Sequence, residues 1–164
     1  PVFVLDVMEM ARLDLKQGSK GYQVRQNRVR SLKREKKPTV LVVDDSRSYR
    51  SQLERIFTGF GYTVITAVDG QNALHKLGLI DKPDLMLVDV EMPNMNGFEF
   101  TEAIRRKPEF DDTPIIMITT RTGLEEKAMR AGVTKYLLKP CDAPSLQQAV
   151  AQIKAQKSME ESAA

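Results

Sequence analysis

The distribution of apolar positions changes character at Pro38. From there on, short unbroken apolar runs alternate with stretches in which apolar residues recur every three or four positions. The runs are residues 39–43 (TVLVV), 62–67 (YTVITA), 84–88 (DLMLV), 113–118 (TPIIMI) and 135–138 (KYLL). Their length, their β-branched content and their lack of polar alternation predict strands covered on both faces. The stretches between them predict helices. Ser46 is an N-cap before a helix that places Leu53, Ile56, Phe57 and Phe60 on one face, and Gly61 stops it. Asp69-Gly70 opens a second helix with Ala73, Leu74 and Leu77 inward. Residues 97–106 form a third, and residues 124–131, stopped by Gly132, a fourth. Residues 143–155 close the series, with Leu146, Val150 and Ile153 on the apolar side.

The pattern is strand then helix, five times over. That order predicts an α/β fold with a parallel sheet between two helical layers and right-handed crossovers. Five strands are too few for a closed eight-stranded barrel, so an open, doubly wound five-stranded parallel sheet is expected. Upstream of Pro38 the signal is different. Residues 2–5 read as a short strand and residues 6–16 as a short helix with Asp6 as N-cap. Residues 18–37 carry two glycines, eight basic residues and one acid, with little apolar periodicity. Such a segment cannot bury a core and reads as a linker.

Charge sharpens this division. The 164 residues carry a net +3, but residues 1–37 hold 10 Lys/Arg against 4 Asp/Glu, whereas residues 38–164 hold 15 against 18. The globular part is mildly acidic and the basic excess sits in the leading segment. Cys141 is the sole cysteine, which rules out an intramolecular disulfide and fits a reducing compartment. No apolar run approaches the roughly 20 residues that span a bilayer. Residues 1–15 are broken by Asp6, Glu9, Arg12 and Asp14, so they suit neither a membrane span nor a signal peptide. The expectation is a soluble, cytoplasmic chain without membrane insertion.

The chemistry collects where the predicted strands end. In open parallel sheets, function gathers outside the carboxyl ends of the strands. Those ends present Asp44 and Asp45 after the first strand, Asp89 after the third, Thr119 after the fourth and Lys139 after the fifth. Taken singly, Asp44 or Asp45 reads as a helix cap, Thr119 as a β-branched strand residue and Lys139 as a solvated lysine. Four strand ends converging on polar residues point further. Three carboxylates brought together repel unless a proton or a divalent cation intervenes. Hard oxygen donors favour Mg²⁺, which binds through one or two carboxylates plus phosphate oxygens. A lysine and a hydroxyl beside such a site match the needs of phosphoryl transfer, and an aspartyl carboxylate can be the nucleophile. Asp89 is the best candidate, because it ends the central strand with the other carboxylates on a neighbour. His75 lies away from this cluster and reads as a surface histidine. Cys141 reads as a partly buried structural residue.

The stretches VLVVDDSRSYR, DLMLVDVEMPNMNGFEF, PIIMITTRTG and GVTKYLLKP resemble, in order and spacing, the CheY-like receiver domains of bacterial two-component systems. The resemblance covers residues 38–156 and implies a flavodoxin-like (βα)5 fold with strand order 2-1-3-4-5. It further implies that Asp89 is the phosphoacceptor and Asp45 the direct Mg²⁺ ligand, with Asp44 acting mainly through water and the Glu91 backbone carbonyl completing the metal set. Thr119 corresponds to the switch hydroxyl, Lys139 to the lysine that pairs with the phosphoryl group, and Tyr136 to the aromatic that turns inward with the switch. The Lys139–Pro140 bond is implied to be cis. The implied partners are a histidine kinase or histidine phosphotransfer domain, and a protein that reads the face formed by the fourth helix, fifth strand and fifth helix. Glu91 and Asn96 stand where the family often has Asn and Asp. Thr120 is larger than the Ala, Ser or Gly usual beside the switch residue, which narrows access to the acceptor.

A finer resemblance concerns context. Receivers reading DxEMPxMxGFE with ITTRTG are similar to those at the C-terminus of chemotaxis-type (CheA-like) hybrid histidine kinases. PVFVLDVMEMARL resembles the end of a CheW-like domain. On this resemblance residues 1–16 are the remnant of a preceding domain, 17–37 a basic linker, 38–156 the receiver and 157–164 a tail. The fragment then accepts and slowly hydrolyses a phosphoryl group, while its parent is a protein histidine kinase. Three other readings compete. An aspartate-nucleophile hydrolase with a similar sheet would want an Asp-x-Asp after its first strand and a substrate cap, whereas here the acidic pair is adjacent and the nucleophile follows the third strand. A non-phosphorylated interaction module on the same fold usually lacks one of the residues present here. Non-specific nucleic-acid contact through residues 20–37 has eight basic residues and a tyrosine in its favour, but no unit to place a side chain in a groove and hence no specific recognition.

Overall fold

The computed structural model describes residues 35–164. The expectations for residues 1–34, including the CheW-like remnant and most of the basic linker, lie outside the described residues. Five strands alternate with five helices: β1 Thr39–Val43, α1 Arg47–Gly59, β2 Thr63–Ala67, α2 Gly70–Leu77, β3 Leu85–Asp89, α3 Gly97–Arg105, β4 Ile115–Thr119, α4 Glu125–Ala131, β5 Lys135–Leu138 and α5 Ala143–Ala163. The sheet is parallel throughout, in the order β2-β1-β3-β4-β5.

The unbroken apolar runs follow from this architecture. Successive strand residues point to opposite faces, and both faces are covered. Val40, Val42, Leu85, Leu87, Ile116 and Ile118 pack with Leu53 and Phe57 of α1 and Leu146, Ala149 and Val150 of α5. Leu41, Val43, Met86, Val88, Ile115 and Met117 pack on the other side with Ala73 and Leu77 of α2, Phe100 and Ile104 of α3 and Ala128 of α4. Phe57 and Phe100 are fully buried, one on each side. Truncating either to Ala would cost about 3–5 kcal/mol.

Boundaries shift where backbone hydrogen bonds decide them. Tyr62 was expected to open the second strand, but its N–H donates to Phe57 O (3.0 Å) and completes the α1 terminus, so β2 starts at Thr63. The fourth strand was expected from residue 113 but starts at Ile115, because Pro114 has no N–H for the ladder. The third extends to Asp89 rather than ending at Val88, and Asp84 stands before it, its carboxylate accepting from Thr39 N–H (2.7 Å). The largest difference is α5, which runs to Ala163 instead of stopping near residue 155. Its last two turns are exposed and built from strong helix formers, so propensity carries the helix past the end of its buried face. The segment expected as a tail, 157–164, is therefore almost wholly helical.

Sheet order places the site. β1 and β3 are neighbours, with chain connections that leave them in opposite directions, so their carboxyl ends border the crevice of a doubly wound sheet. Val43 pairs with Val88, Asp89 with Ile118 and Thr119 with Leu138. The residues that follow these rungs emerge side by side at one edge.

Candidate functional site

Asp44 and Asp89 leave adjacent strands one step beyond the Val43–Val88 pair, and Asp45 follows in the turn before α1. One carboxylate oxygen from each of the three lies within 4.8 Å of the others. Asp44 and Asp89 are buried and Asp45 is exposed. Lys139 reaches into the group from the end of β5. Its Nζ is 2.6 Å from Asp44 Oδ2 and 3.3 Å from Asp89 Oδ1. The Lys139–Pro140 peptide is cis, as the resemblance implied.

The two adjacent acids have different commitments. Asp44 Oδ1 accepts from Ser46 N–H (2.8 Å) and its Oδ2 accepts from Lys139, so both oxygens are engaged. The Asp45 carboxylate makes no hydrogen bond or ion pair among the described residues and faces a cleft of about 550 Å³ that Glu91 and Arg121 also line. The Asp89 carboxyl is pushed up to about 6 from an ordinary 3.8. Burial is the main cause. The Lys139 ammonium opposes it, and the Asp44 carboxylate adds to it. One ammonium does not neutralise three carboxylates, and the donor set is all oxygen. These residues fit a small hard divalent cation.

The loops around the acceptor are tightly fixed. Asn96 caps α3 with a reciprocal Asn96–Glu99 box (2.9 and 3.0 Å). A Cβ on Gly97 would sit 2.2 Å from the Asp89 carbonyl oxygen, so the chain returns past the acceptor at a distance only glycine permits. Glu91 and Asn96, the departures from the usual pattern, thus have distinct local roles. Asn96 is a helix cap, and Glu91 turns its side chain to Arg121 (Oε1–Nε 2.9 Å).

Thr119 is fully buried at the end of β4, and its Oγ1 accepts from Arg121 N–H (3.2 Å). Tyr136 is half-buried against the core, and its hydroxyl donates to the Arg121 carbonyl. Burial pushes the Tyr136 phenol up, with Glu125 adding to the effect. Thr120 is exposed. His75 is exposed on α2, away from the cluster. Cys141 is buried, and its thiol donates to Leu138 O (3.0 Å).

Two residues of this region escaped the sequence reading. Arg121 touches Glu91, Thr119 and Tyr136 at once, through guanidinium, N–H and carbonyl. Its place two residues after Thr119 was a usable hint. Tyr49 lies in the first turn of α1, and its ring centroid is 4.2 Å from Lys139 Nζ. Four residues after Asp45 is a position of no particular promise, and its partner lies 90 residues away, so no local signal could have found it.

The sequence profile of the response regulator receiver domain matches residues 40–151. The regulator of RpoS from Escherichia coli is 41% identical over 103 residues, which are 62% of this chain but only 30% of that protein. The sensor histidine kinase CheAY of Helicobacter pylori is 35% identical over 104 residues, 62% of this chain and 13% of that protein. Among solved structures, the chemotaxis response regulator CheY4 of Vibrio cholerae aligns with a TM-score of 0.67 and 38% identity, covering 72% of this chain and 99% of that one.

Proposed function

The chain belongs to the response regulator receiver domain family, the CheY-like phosphoacceptors of two-component signalling, and from that premise we propose that Asp89 is its acceptor. The observation that carries the assignment is the placement of the Asp89 carboxylate, buried at the end of the central strand with Lys139 Nζ 3.3 Å away and oxygens of Asp44 and Asp45 within 4.8 Å. Receiver domains bind Mg²⁺ at an acidic pocket, and here Asp44, Asp45 and Asp89 form one. Asp45, whose carboxylate is uncommitted, is the direct side-chain ligand together with Asp89. Asp44, with both oxygens engaged, acts through water, and the Glu91 backbone carbonyl completes the set. When bound, the cation supplies positive charge to the equatorial phosphoryl oxygens.

The reaction moves one phosphoryl group. An Asp89 carboxylate oxygen attacks phosphorus in line, the nitrogen–phosphorus bond of a phosphohistidine breaks, and the imidazole leaves. Lys139 exchanges its contact with Asp89 for a phosphoryl oxygen. The Thr119 hydroxyl donates to another, and Tyr136 follows through its link to Arg121. Water later attacks phosphorus, returning the carboxylate and inorganic phosphate. The donor is a histidine kinase or histidine phosphotransfer domain. The output face is α4, β5 and α5, where Met129 and Leu138 are exposed. Residues 38–156 form the receiver unit, and the likeness to CheAY supports a place within a chemotaxis-type hybrid kinase.

The test is intact-mass analysis after incubation with Mg²⁺ and acetyl phosphate. The wild-type chain gains one phosphoryl group and Asp89→Asn gains none. Equal labelling of the two would refute the assignment.

A further inference from the structure

We propose that Tyr49 is a positioning residue for Lys139: its ring face lies over the ammonium beside the two carboxylates that hold it. The proposal rests on the reading of Asp89 and Lys139 as the phosphoryl site. Lys139 Nζ has Asp44 Oδ2 at 2.6 Å, Asp89 Oδ1 at 3.3 Å and the Tyr49 ring centroid at 4.2 Å. The last distance is well inside the range in which an ammonium is held by the electron-rich face of an aromatic ring. The lysine side chain is only 14% exposed, so water does little to weaken that attraction.

The ring is held where it is by its own turn. Tyr49 N–H donates to Ser46 Oγ (3.4 Å), the cap of α1, and Arg50 Nη1 donates to the Asp44 carbonyl (2.7 Å). The first turn of α1 is thereby tied to the strand end that carries Asp44. The hydroxyl is buried and has no well-formed hydrogen bond among the described residues, and the polar group within its reach is Cys141. The Cys141 thiol makes its own hydrogen bond to Leu138 O. What the position uses is the ring.

The choice of a ring has a chemical consequence. A third carboxylate here would hold the ammonium too strongly and repel an incoming phosphoryl group. An aliphatic side chain would let it settle wholly on Asp44, the nearer acid. An aromatic face attracts the cation without adding a formal charge, so Lys139 stays between Asp44 and Asp89, ready to move to a phosphoryl oxygen.

The experiment measures the rate of phosphorylation by acetyl phosphate at saturating Mg²⁺, at a temperature where circular dichroism shows each variant folded. Tyr49→Leu slows the reaction about three- to tenfold, the effect of one desolvated cation–ring contact. Tyr49→Phe keeps the wild-type rate, since the ring face over the ammonium is retained. Progressively fluorinated phenylalanines at position 49 preserve ring shape while draining its face of electrons, and the rate falls with each fluorine. This series also serves if Tyr49→Leu does not fold. A rate unchanged in Tyr49→Leu, a Tyr49→Phe as slow as Tyr49→Leu, or a flat fluorine series overturns the proposal while the Asp89 reading stands. A wild-type chain that takes no phosphoryl group removes the premise, and the proposal with it.

Discussion

The two ends of the sheet use the same side chain in opposite ways. At the carboxyl end, Asp44 and Asp89 are buried, lie against one another and share a single ammonium. Toward the amino end, Asp84 and Asp112 are exposed. Asp84 accepts from Thr39 N–H, and Asp112 pairs with Lys82 at close range and with Lys157 at 3.9 Å. The consequence shows in their acidity. Burial holds the Asp89 carboxyl up at about 6, whereas the hydrogen bond from Lys82 holds Asp112 below the usual carboxylate range. Charge at the amino end is placed where it is comfortable. Charge at the carboxyl end is placed where it is not, and a group under that strain is ready for a cation or a phosphoryl group.

The sharpest way to break this contrast is to remove the ammonium. In Lys139→Met two buried carboxylates lose the one cation that pairs with them among the described residues in the metal-free protein. Breaking a buried pair on one side leaves an uncompensated charge, so the loss is about 3 kcal/mol or more near pH 7. Urea unfolding measures it, and Mg²⁺ should recover a larger share in this variant than in the wild type. A loss under about 1 kcal/mol would mean that the carboxylates are already relieved by protonation or water.

The raised Asp89 carboxyl makes a smaller, signed prediction. Between about pH 4 and pH 6 the folded chain keeps a proton on Asp89 that the unfolded chain releases. Stability therefore falls as pH rises through this window, once other groups are subtracted. Asp89→Asn lacks the titration. In the absence of metal, the stability of Asp89→Asn relative to wild type should be least near pH 4 and rise to a plateau above pH 6. The gain is on the order of 2–3 kcal/mol. Melting curves of the two proteins at matched pH give the difference. A constant difference across the window would show that Asp89 is not held in the way described.

The same contrast explains what could be read from the sequence. Unbroken strands ending in Asp44, Asp89, Thr119 and Lys139 mark a two-sided parallel sheet, and a parallel sheet collects its strand ends at one edge. The fold and the residues of the cluster were therefore legible. Which of two adjacent acids has free oxygens was not, because the answer lies in Ser46 N–H and in Lys139, almost a hundred residues further on. The resemblance implied different roles for the two, and the hydrogen bonds show only which of them has engaged oxygens. The Glu91–Arg121 pair and the Tyr49 ring depend on side-chain directions in loops and first turns, where hydrophobic periodicity is silent. The length of α5 was missed for the opposite reason. Its last turns have propensity but no apolar face, and periodicity was the signal followed.

Asp112 supplies the small end of the scale. It has two lysine partners, one more cation than Asp89 has, and a count of ion pairs would rank it as the more important acid. Exposure reverses that ranking. Its side chain is 60% exposed, its partners are flexible lysines, and water screens all three. Asp112→Asn should cost no more than about 0.5 kcal/mol at low salt and nothing measurable in about 0.5 M NaCl. The sign with pH is also opposite to that of Asp89. The folded carboxyl is held below its unfolded value, so its contribution is present above that value and lost as pH falls through the folded one. Chemical denaturation at two salt concentrations decides the matter. If Asp112→Asn costs as much as Lys139→Met, or its cost survives salt, then burial is not what separates the two ends of this sheet.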